Sequence, residues 1–241
     1  MININHLTYQ YLDNQPVLSN LNLKLARNDK ISIIGRSGCG KTTLLLLLAG
    51  LLKPTDGEIE IDGEPLHDVR SKTGIIFQTG GLFPWKTVYG NCALGLKARN
   101  ISKKHIDLKI NQVLDQLEIS HLKNKYIKDL SGGEKQRAAI ARTLVLDSDI
   151  LLFDEPSSSL DAFTKENFQD LLLNIYKQYE LCSVIVTHDI EEAVYLGQKI
   201  IVMKDGQIVE EINNDSLFGD KDARKSIAFY EKCIEVRKRL E

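Results

Sequence analysis

The sequence predicts an α/β fold with a mixed sheet core, an antiparallel β part and a helical part. Three observations point there. Short apolar, β-branched runs recur along the chain, each followed by turn residues or a helical pattern. Two Asp-Gly dipeptides adjoin strand-like runs, and between about residues 87 and 146 the strand pattern gives way to helical spacing. With 241 residues, 43% hydrophobic, the chain can bury a sizeable core and has neither a collagen-like nor a disordered composition.

Taken in order, residues 17–25 alternate apolar and polar side chains, the period of a half-buried strand. The runs 30–34, 74–77, 150–153, 183–187 and 199–203 are instead almost continuously apolar, as strands covered on both faces are. Residues 57–61 and 207–212 flank Asp62-Gly63 and Asp205-Gly206, which predicts antiparallel hairpins. Ile106, Ile110, Val113, Leu114 and Leu117 repeat at helical intervals inside the 87–146 stretch. Beyond about residue 213 a short amphipathic helix is expected, with Ile227, Tyr230 and Ile234 on one face and Arg237, Lys238 and Arg239 at its end. That tail should pack on its own domain or, alternatively, touch another subunit. No repeat or long linker interrupts the chain. It therefore reads as one domain, 1–215, with a helical subdomain inserted at about 87–146, followed by a helical tail at 216–241.

The formal net charge of -2 carries no basic excess of the kind that marks a nucleic-acid binder. Locally, eight Lys/Arg stand against three Asp/Glu between residues 97 and 128. A solvated helical surface is the plain explanation, and attraction to anionic lipid head groups the sharper one. The cysteines, Cys39, Cys92, Cys182 and Cys233, form neither a metal pattern nor a disulfide framework, which fits a reducing cytosol. The opening MININHLTYQ has no signal-peptide pattern. The longest apolar run, 44–52, has nine residues, far below the roughly 20 a spanning helix requires. Any membrane connection is therefore expected to go through a partner.

Gly35-Arg36-Ser37-Gly38-Cys39-Gly40-Lys41-Thr42 fits G-x-x-x-x-G-K-[ST] and stands after a strand and before a helical run. Its glycines let successive N–H groups turn inward, and the helix start adds partial positive charge; together they suit a phosphate. Lys41 would reach the β and γ phosphates, Thr42 would place its hydroxyl on Mg²⁺, and Thr43 would add to the nucleotide contacts. The alternative is an ordinary Gly-rich turn.

Residues 150–153 form an apolar strand that ends in Asp154-Glu155, at the sheet edge where ligands of parallel sheets bind. Asp154 would hold the metal shell, and Glu155 would act as general base toward the attacking water. A helix cap or solvated turn is the bland explanation for such a pair. His188 also follows a buried strand and would hydrogen-bond the γ-phosphate, unless it merely caps the helix beginning near Asp189. Gln78 ends the strand 74–77. Its amide could touch Mg²⁺ or water, or it is simply a turn residue.

Leu130-Ser131-Gly132-Gly133-Glu134-Lys135-Gln136-Arg137 opens another helical run. Ser131 and Glu134 fit the S-x-x-E capping box, but two glycines in a first turn weaken a helix. Bare amides at a helix start suit an anion, hence a second phosphate or the far side of the same nucleotide.

With these motifs in order, the chain resembles the ATP-binding cassette (ABC) ATPases, from Asn3 to about residue 213. The resemblance implies a P-loop NTPase fold of the ABC ATPase type, ATP and Mg²⁺ as ligands, and a homodimer. In such a dimer Ser131, Gly132 and Gly133 would complete the ATP site of the second subunit. It also implies that Tyr11 stacks on adenine, with Tyr9 as the alternative, and that Asp161 lies in the loop crossing the dimer interface. Two departures stand out: Glu134 replaces the family's Gln and Ser159 its Ala, the former bringing negative charge near the composite site.

Residues 82–88, 160–164 and 187–194 are most similar to import ATPases for nitrate, sulfonate or taurine. The expected partners are a second cassette, a transmembrane permease and, indirectly, an extracytoplasmic solute-binding protein, with the chain peripheral on the cytoplasmic face of the membrane; no nucleic acid is expected. Leu82, Phe83 and Trp85 would dock a cytoplasmic helix of the permease, or else pack locally. The other functional readings are a soluble non-transport ABC ATPase and a nucleotide-binding regulator without turnover. Against the first stand the lack of a heptad array or second phosphate loop; against the second, Glu155 and His188.

Overall fold

The structure, a computed structural model, describes residues 1–11 and 15–241. In chain order its strands are β1 (Ile2–Gln10), β2 (Pro16–Leu25), β3 (Lys30–Gly35), β4 (Asp56–Ile61), β5 (Glu64–Pro65), β6 (Thr73–Ile76), β7 (Ile150–Asp154), β8 (Cys182–Thr187), β9 (Lys199–Lys204) and β10 (Gln207–Asn213). Its helices are α1 (Lys41–Leu48), α2 (Val88–Ala98), α3 (Lys103–Gln116), α4 (Gly132–Leu144), α5 (Ala162–Gln178), α6 (Ile190–Leu196) and α7 (Ile227–Leu240).

Six strands form a mixed sheet ordered β10-β9-β3-β8-β7-β6, parallel except for β10. The other four form an antiparallel sheet ordered β2-β1-β4-β5. The strands β3, β7 and β8 are buried along their length apart from Asp154, which explains their unbroken apolar sequence. One face of the mixed sheet packs with α1 and the antiparallel sheet, through residues such as Ile31, Leu44, Leu48, Leu152, Val184 and Ile4. Helices α2 to α6 share the opposite core, through residues such as Ile34, Ile76, Phe153 and Ile185. Helix α1 is buried nearly all round, which its row of leucines allows.

Asp62-Gly63 and Asp205-Gly206 make the expected hairpin turns. Asp62 and Gly63 have φ of 55° and 83°, Asp205 and Gly206 of 46° and 77°, the paired positive values of a type I′ turn. The predicted helical period survives in α3, where Ile106, Ile110, Val113 and Leu114 face inward.

Three details depart from the pattern-based expectation. The alternation of β2 loses its phase: Leu18 is buried, and so are Leu21, Leu23 and Leu25, because the β1–β2 register shifts and Asn20 takes φ 51°. Strand β6 stops at Ile76, so Gln78 lies in the turn beyond it. The largest difference is in α7. Ile227, Tyr230 and Ile234 face solvent, 78%, 56% and 54% exposed, while Phe229 and Val236 enter the core, with Cys233 and Leu240 packed against it. The helix carries two apolar stripes, and the one that meets the body of the protein decides its orientation.

Candidate active site

The carboxyl ends of β3, β8, β7 and β6 lie side by side, and each feeds a candidate residue into one edge of the sheet. The turn after β3 is shaped by close approaches. A Cβ on Gly35 would sit 2.3 Å from the Met203 carbonyl oxygen, and one on Gly40 would sit 2.6 Å from Leu18 and 2.9 Å from the Val17 carbonyl oxygen. Gly40 also has φ 100°, a left-handed value that favours glycine. The Gly206 N–H donates to the Cys39 carbonyl at 3.2 Å, tying the turn to the β9–β10 hairpin.

Inside the curve lies the buried Lys41, whose ammonium donates to the carbonyls of Gly35 at 2.8 Å and Arg36 at 3.0 Å. The backbone thus carries a cation at the mouth of a helix whose first N–H groups have no intrahelical partner. Ser37, Gly38 and Cys39 line a cavity of about 370 Å³ on the outer side of this turn, shared with Lys204 and Asp205. Tyr11, at the end of β1, holds its hydroxyl 3.4 Å from that of Thr43 and packs edge-on against Tyr9 at 4.9 Å between ring centres. An exposed aromatic ring therefore stands beside the first turn of α1.

Residues 112 positions apart meet where the Thr42 hydroxyl donates to Asp154 Oδ1 at 3.0 Å. Burial pushes the Asp154 carboxyl above its ordinary range; the Thr42 hydrogen bond opposes this, the Glu155 charge adds to it, and Lys41 opposes it. Glu155 has φ 47° and donates its N–H to the Val186 carbonyl at 2.9 Å, extending the β7–β8 ladder past the strand end. Its carboxylate lies 3.1 Å from His188 Nδ1. Gln78 joins through Ser158: its amide donates to the Ser158 hydroxyl at 3.0 Å, which donates to the Glu155 carbonyl at 2.9 Å. From α4, the buried Gln136 amide donates to the Gln78 carbonyl at 3.3 Å. Sequence patterning singled out neither Ser158 nor Gln136, since a serine run and a helical Gln carry no spacing signal.

Lys41, Thr42, Gln78, Asp154, Glu155 and His188 thus gather at one edge. The Ser131-Gly132-Gly133 segment does not join them through any hydrogen bond among the described residues. It forms the exposed start of α4, where the Ser131 hydroxyl accepts from Glu134 N–H at 3.3 Å and the Glu134 carboxylate accepts from Ser131 N–H at 2.7 Å. That bond holds the Glu134 carboxyl below its ordinary range. The two glycines also have a packing reason that the sequence concealed. A Cβ on Gly133 would lie 2.7 Å from the Thr164 methyl, and one on Gly132 would lie 3.2 Å from Leu160. The neighbouring Asp161 caps α5 by accepting from Thr164 N–H at 3.0 Å.

The segment leading from Gln78 into α2 is held on two sides. Asn91 accepts from the Phe83 N–H at 2.8 Å and donates to the Phe83 carbonyl at 3.2 Å; Arg142 of α4 donates to the Gly80 and Gly81 carbonyls. Phe83 and Trp85 remain exposed with their rings 5.4 Å apart, while Leu82 is partly buried against the core.

Known proteins similar to this chain include import ATP-binding proteins. Over 200 residues, 82% of this chain and 78% of the relative, the sequence is 44% identical to an aliphatic sulfonates import ATP-binding protein, SsuB, of Bacillus cereus. It is 37% identical over 232 residues to a taurine import ATP-binding protein, TauB, of Pseudomonas fluorescens, covering 94% of this chain and 87% of the relative. Among solved structures, the dimeric ATP-binding cassette MJ0796, described in a post-hydrolysis state with ADP and Pi bound, superimposes with a TM-score of 0.79. It is 32% identical and covers 89% of this chain and 99% of its own. Residues 18–158 match the family described as ABC transporter, and the chain belongs to that family.

Proposed function

We propose that this chain binds and hydrolyses ATP as the energising subunit of an importer for a small sulfonate or taurine-like solute. The solute class comes from the names of its relatives, SsuB and TauB. The observation that carries the chemistry is the meeting of Thr42, Asp154, Glu155 and His188 beside the turn that holds Lys41. In this reading the amides of Gly38, Cys39 and Gly40, with Ser37 and Lys41, hold the triphosphate, and Tyr11 stacks on the base. Glu155 accepts a proton from the attacking water, and His188, held by that carboxylate, donates to the γ-phosphate.

The residues present suit Mg²⁺. Thr42 and Asp154 offer hard oxygen donors in contact, and Asp154 is an acid whose charged form burial disfavours, so it gains most from a cation. Among the described residues no three His, Cys, Asp or Glu side chains cluster around a metal position. An ion held by one or two protein oxygens and shared with phosphate is the arrangement Mg²⁺ favours. Thr42 and Asp154 would hold it, with Gln78 at the edge of its shell; when bound it neutralises phosphate charge.

Ser131, Gly132 and Gly133 act on the nucleotide of a second copy, since among the described residues no hydrogen bond joins them to the Lys41 turn of their own chain. Residues 1–215 then work as one ATPase domain with a helical subdomain at about 87–146, and 216–241 as its tail. Exposed Phe83 and Trp85 receive the permease, which holds the chain at the cytoplasmic face of the membrane and is fed by a solute-binding protein. Among the described residues no helix is long and apolar enough to cross a membrane.

The test is Glu155→Gln in the full chain. The variant should bind MgATP, form a stable dimer on ATP addition and lose at least about a hundredfold in turnover. Wild-type turnover would remove Glu155 from its role. Sulfonate uptake into vesicles carrying the variant with its permease should stop as well.

A further inference from the structure

Beneath the Glu155–His188 pair lies a second connection, between backbone segments rather than site side chains. Ser157, two residues past Glu155, is buried, and its hydroxyl donates to Glu192 Oε1. Glu192 belongs to α6, the helix that begins just after His188, and is only 1% exposed. The same oxygen accepts from Gln169 Nε2 of α5 at 3.2 Å. Gln169 Oε1 in turn accepts from Arg224, whose guanidinium stacks 3.4 Å from the centre of the Tyr195 ring.

Helix capping does not account for this carboxylate, because the cap of α6 is Asp189, which accepts the Glu192 N–H at 2.9 Å. Burying an acid is costly unless hydrogen bonds compensate, and here the compensation comes from the turn that carries Glu155 and from α5. One buried side chain therefore links the β7 turn to the helix after β8, in addition to the Glu155 N–H bond to the Val186 carbonyl. Those two segments present Glu155 and His188, whose side chains lie 3.1 Å apart.

We infer that Glu192 is a positioning residue for ATP hydrolysis, its buried carboxylate locking the Glu155 turn to the helix that follows His188. This rests on the assignment of Glu155 and His188 as the hydrolytic groups. A change of this kind acts on the geometry of reaction and leaves nucleotide binding at the Lys41 turn in place.

The experiment measures steady-state ATPase kinetics, MgATP-analogue affinity and unfolding midpoints of the full chain in three variants. Glu192→Leu, which removes the acceptor, should lower kcat by about tenfold or more while KM and analogue affinity stay within about twofold. Glu192→Gln keeps an acceptor oxygen and should recover to within about threefold of wild type. Ser157→Ala should lower kcat by about threefold to tenfold, and adding it to Glu192→Leu should cost little more, since the Glu192 variant already lacks the Ser157 bond. Should Glu192→Leu fail to fold, the Ser157→Ala and Glu192→Gln pair decides. Unchanged kcat in Ser157→Ala and Glu192→Leu overturns the inference, as does a loss of kcat matched by equal loss of binding and of folded protein. Turnover retained by Glu155→Gln would instead overturn the underlying assignment; an inactive Glu155→Gln beside wild-type turnover in the Glu192 variants defeats the inference alone.

Discussion

Among the helix starts that carry glycines, those of α1 and α4 are built in opposite ways. The start of α1 has no side-chain cap and no acid in its first turn; Gly40 enters it in a left-handed conformation and Lys41 lies buried behind it. The start of α4 is exposed and reciprocally capped by Ser131 and Glu134, so a carboxylate of its own chain already accepts from Ser131 N–H. Both ends offer amides and partial positive charge, as any helix does. What differs is whether the surrounding chain adds charge to receive an anion or supplies an anion itself. In the proposed function the α1 start receives phosphate with groups of its own subunit, whereas the α4 start suits an oxygen brought from outside, in competition with Glu134.

The largest effect expected from this contrast concerns the cation. Lys41→Ala should lower turnover by at least about a hundredfold and weaken ATP binding in the isolated chain. Lys135→Ala, in the first turn of α4, should leave monomer binding of nucleotide unchanged in an equilibrium titration. Equal losses would erase the distinction between the two helix starts.

Glycine substitutions sharpen it. Gly40→Ala meets the Val17 carbonyl oxygen and requires φ near 100°, so about 2–4 kcal/mol of stability should be lost in urea unfolding. Gly133→Ala meets only the Thr164 methyl at 2.7 Å and should cost about 1–2 kcal/mol. Gly132→Ala faces a flexible Leu160 at 3.2 Å, and the gain of about 1 kcal/mol from alanine in a helix should offset the crowding. A Gly132→Ala protein that folds normally but no longer dimerises on ATP would assign that glycine to the nucleotide of the second copy.

How much of this was legible in the sequence follows from the range of each interaction. The turn after β3, the acid pair after β7 and the Asp-Gly hairpins are local, since strand end, turn and helix start are contiguous and each demands particular residues. The packing of Gly132 and Gly133 against Leu160 and Thr164 joins segments far apart in the chain, and nothing in the local pattern announces it. The same holds for Ser157, Gln169 and Glu192, three ordinary polar residues until α5 and α6 bring them together. In α7 the 3.6-residue repeat gives which residues share a stripe, and Ile227, Tyr230 and Ile234 do, but the elements the helix meets, α6 and β9, decide which stripe is buried. The phase of β2 was lost for a related reason, because the shift in its pairing with β1 is set by both strands.

The smallest expected effect tests the competition at the α4 start. Glu134→Gln keeps a side chain able to complete the capping box, so stability near neutral pH should change by less than about 1 kcal/mol. It removes the negative charge beside the amides of Gly132 and Gly133, and ATP-driven dimerisation should strengthen by about twofold to fivefold. The pH dependence gives an independent check. Because the Ser131 N–H holds the Glu134 carboxyl below its ordinary range, the charged form stabilises the fold above the unfolded-state pKa. That contribution disappears as pH falls through the lowered folded-state value. Acid unfolding of the wild type should therefore carry a component in that window that the Gln variant lacks, whereas Lys41→Ala should leave it untouched. If dimerisation of the Gln variant is unchanged, the carboxylate does not compete with the incoming phosphate, and the two helix starts differ in packing alone.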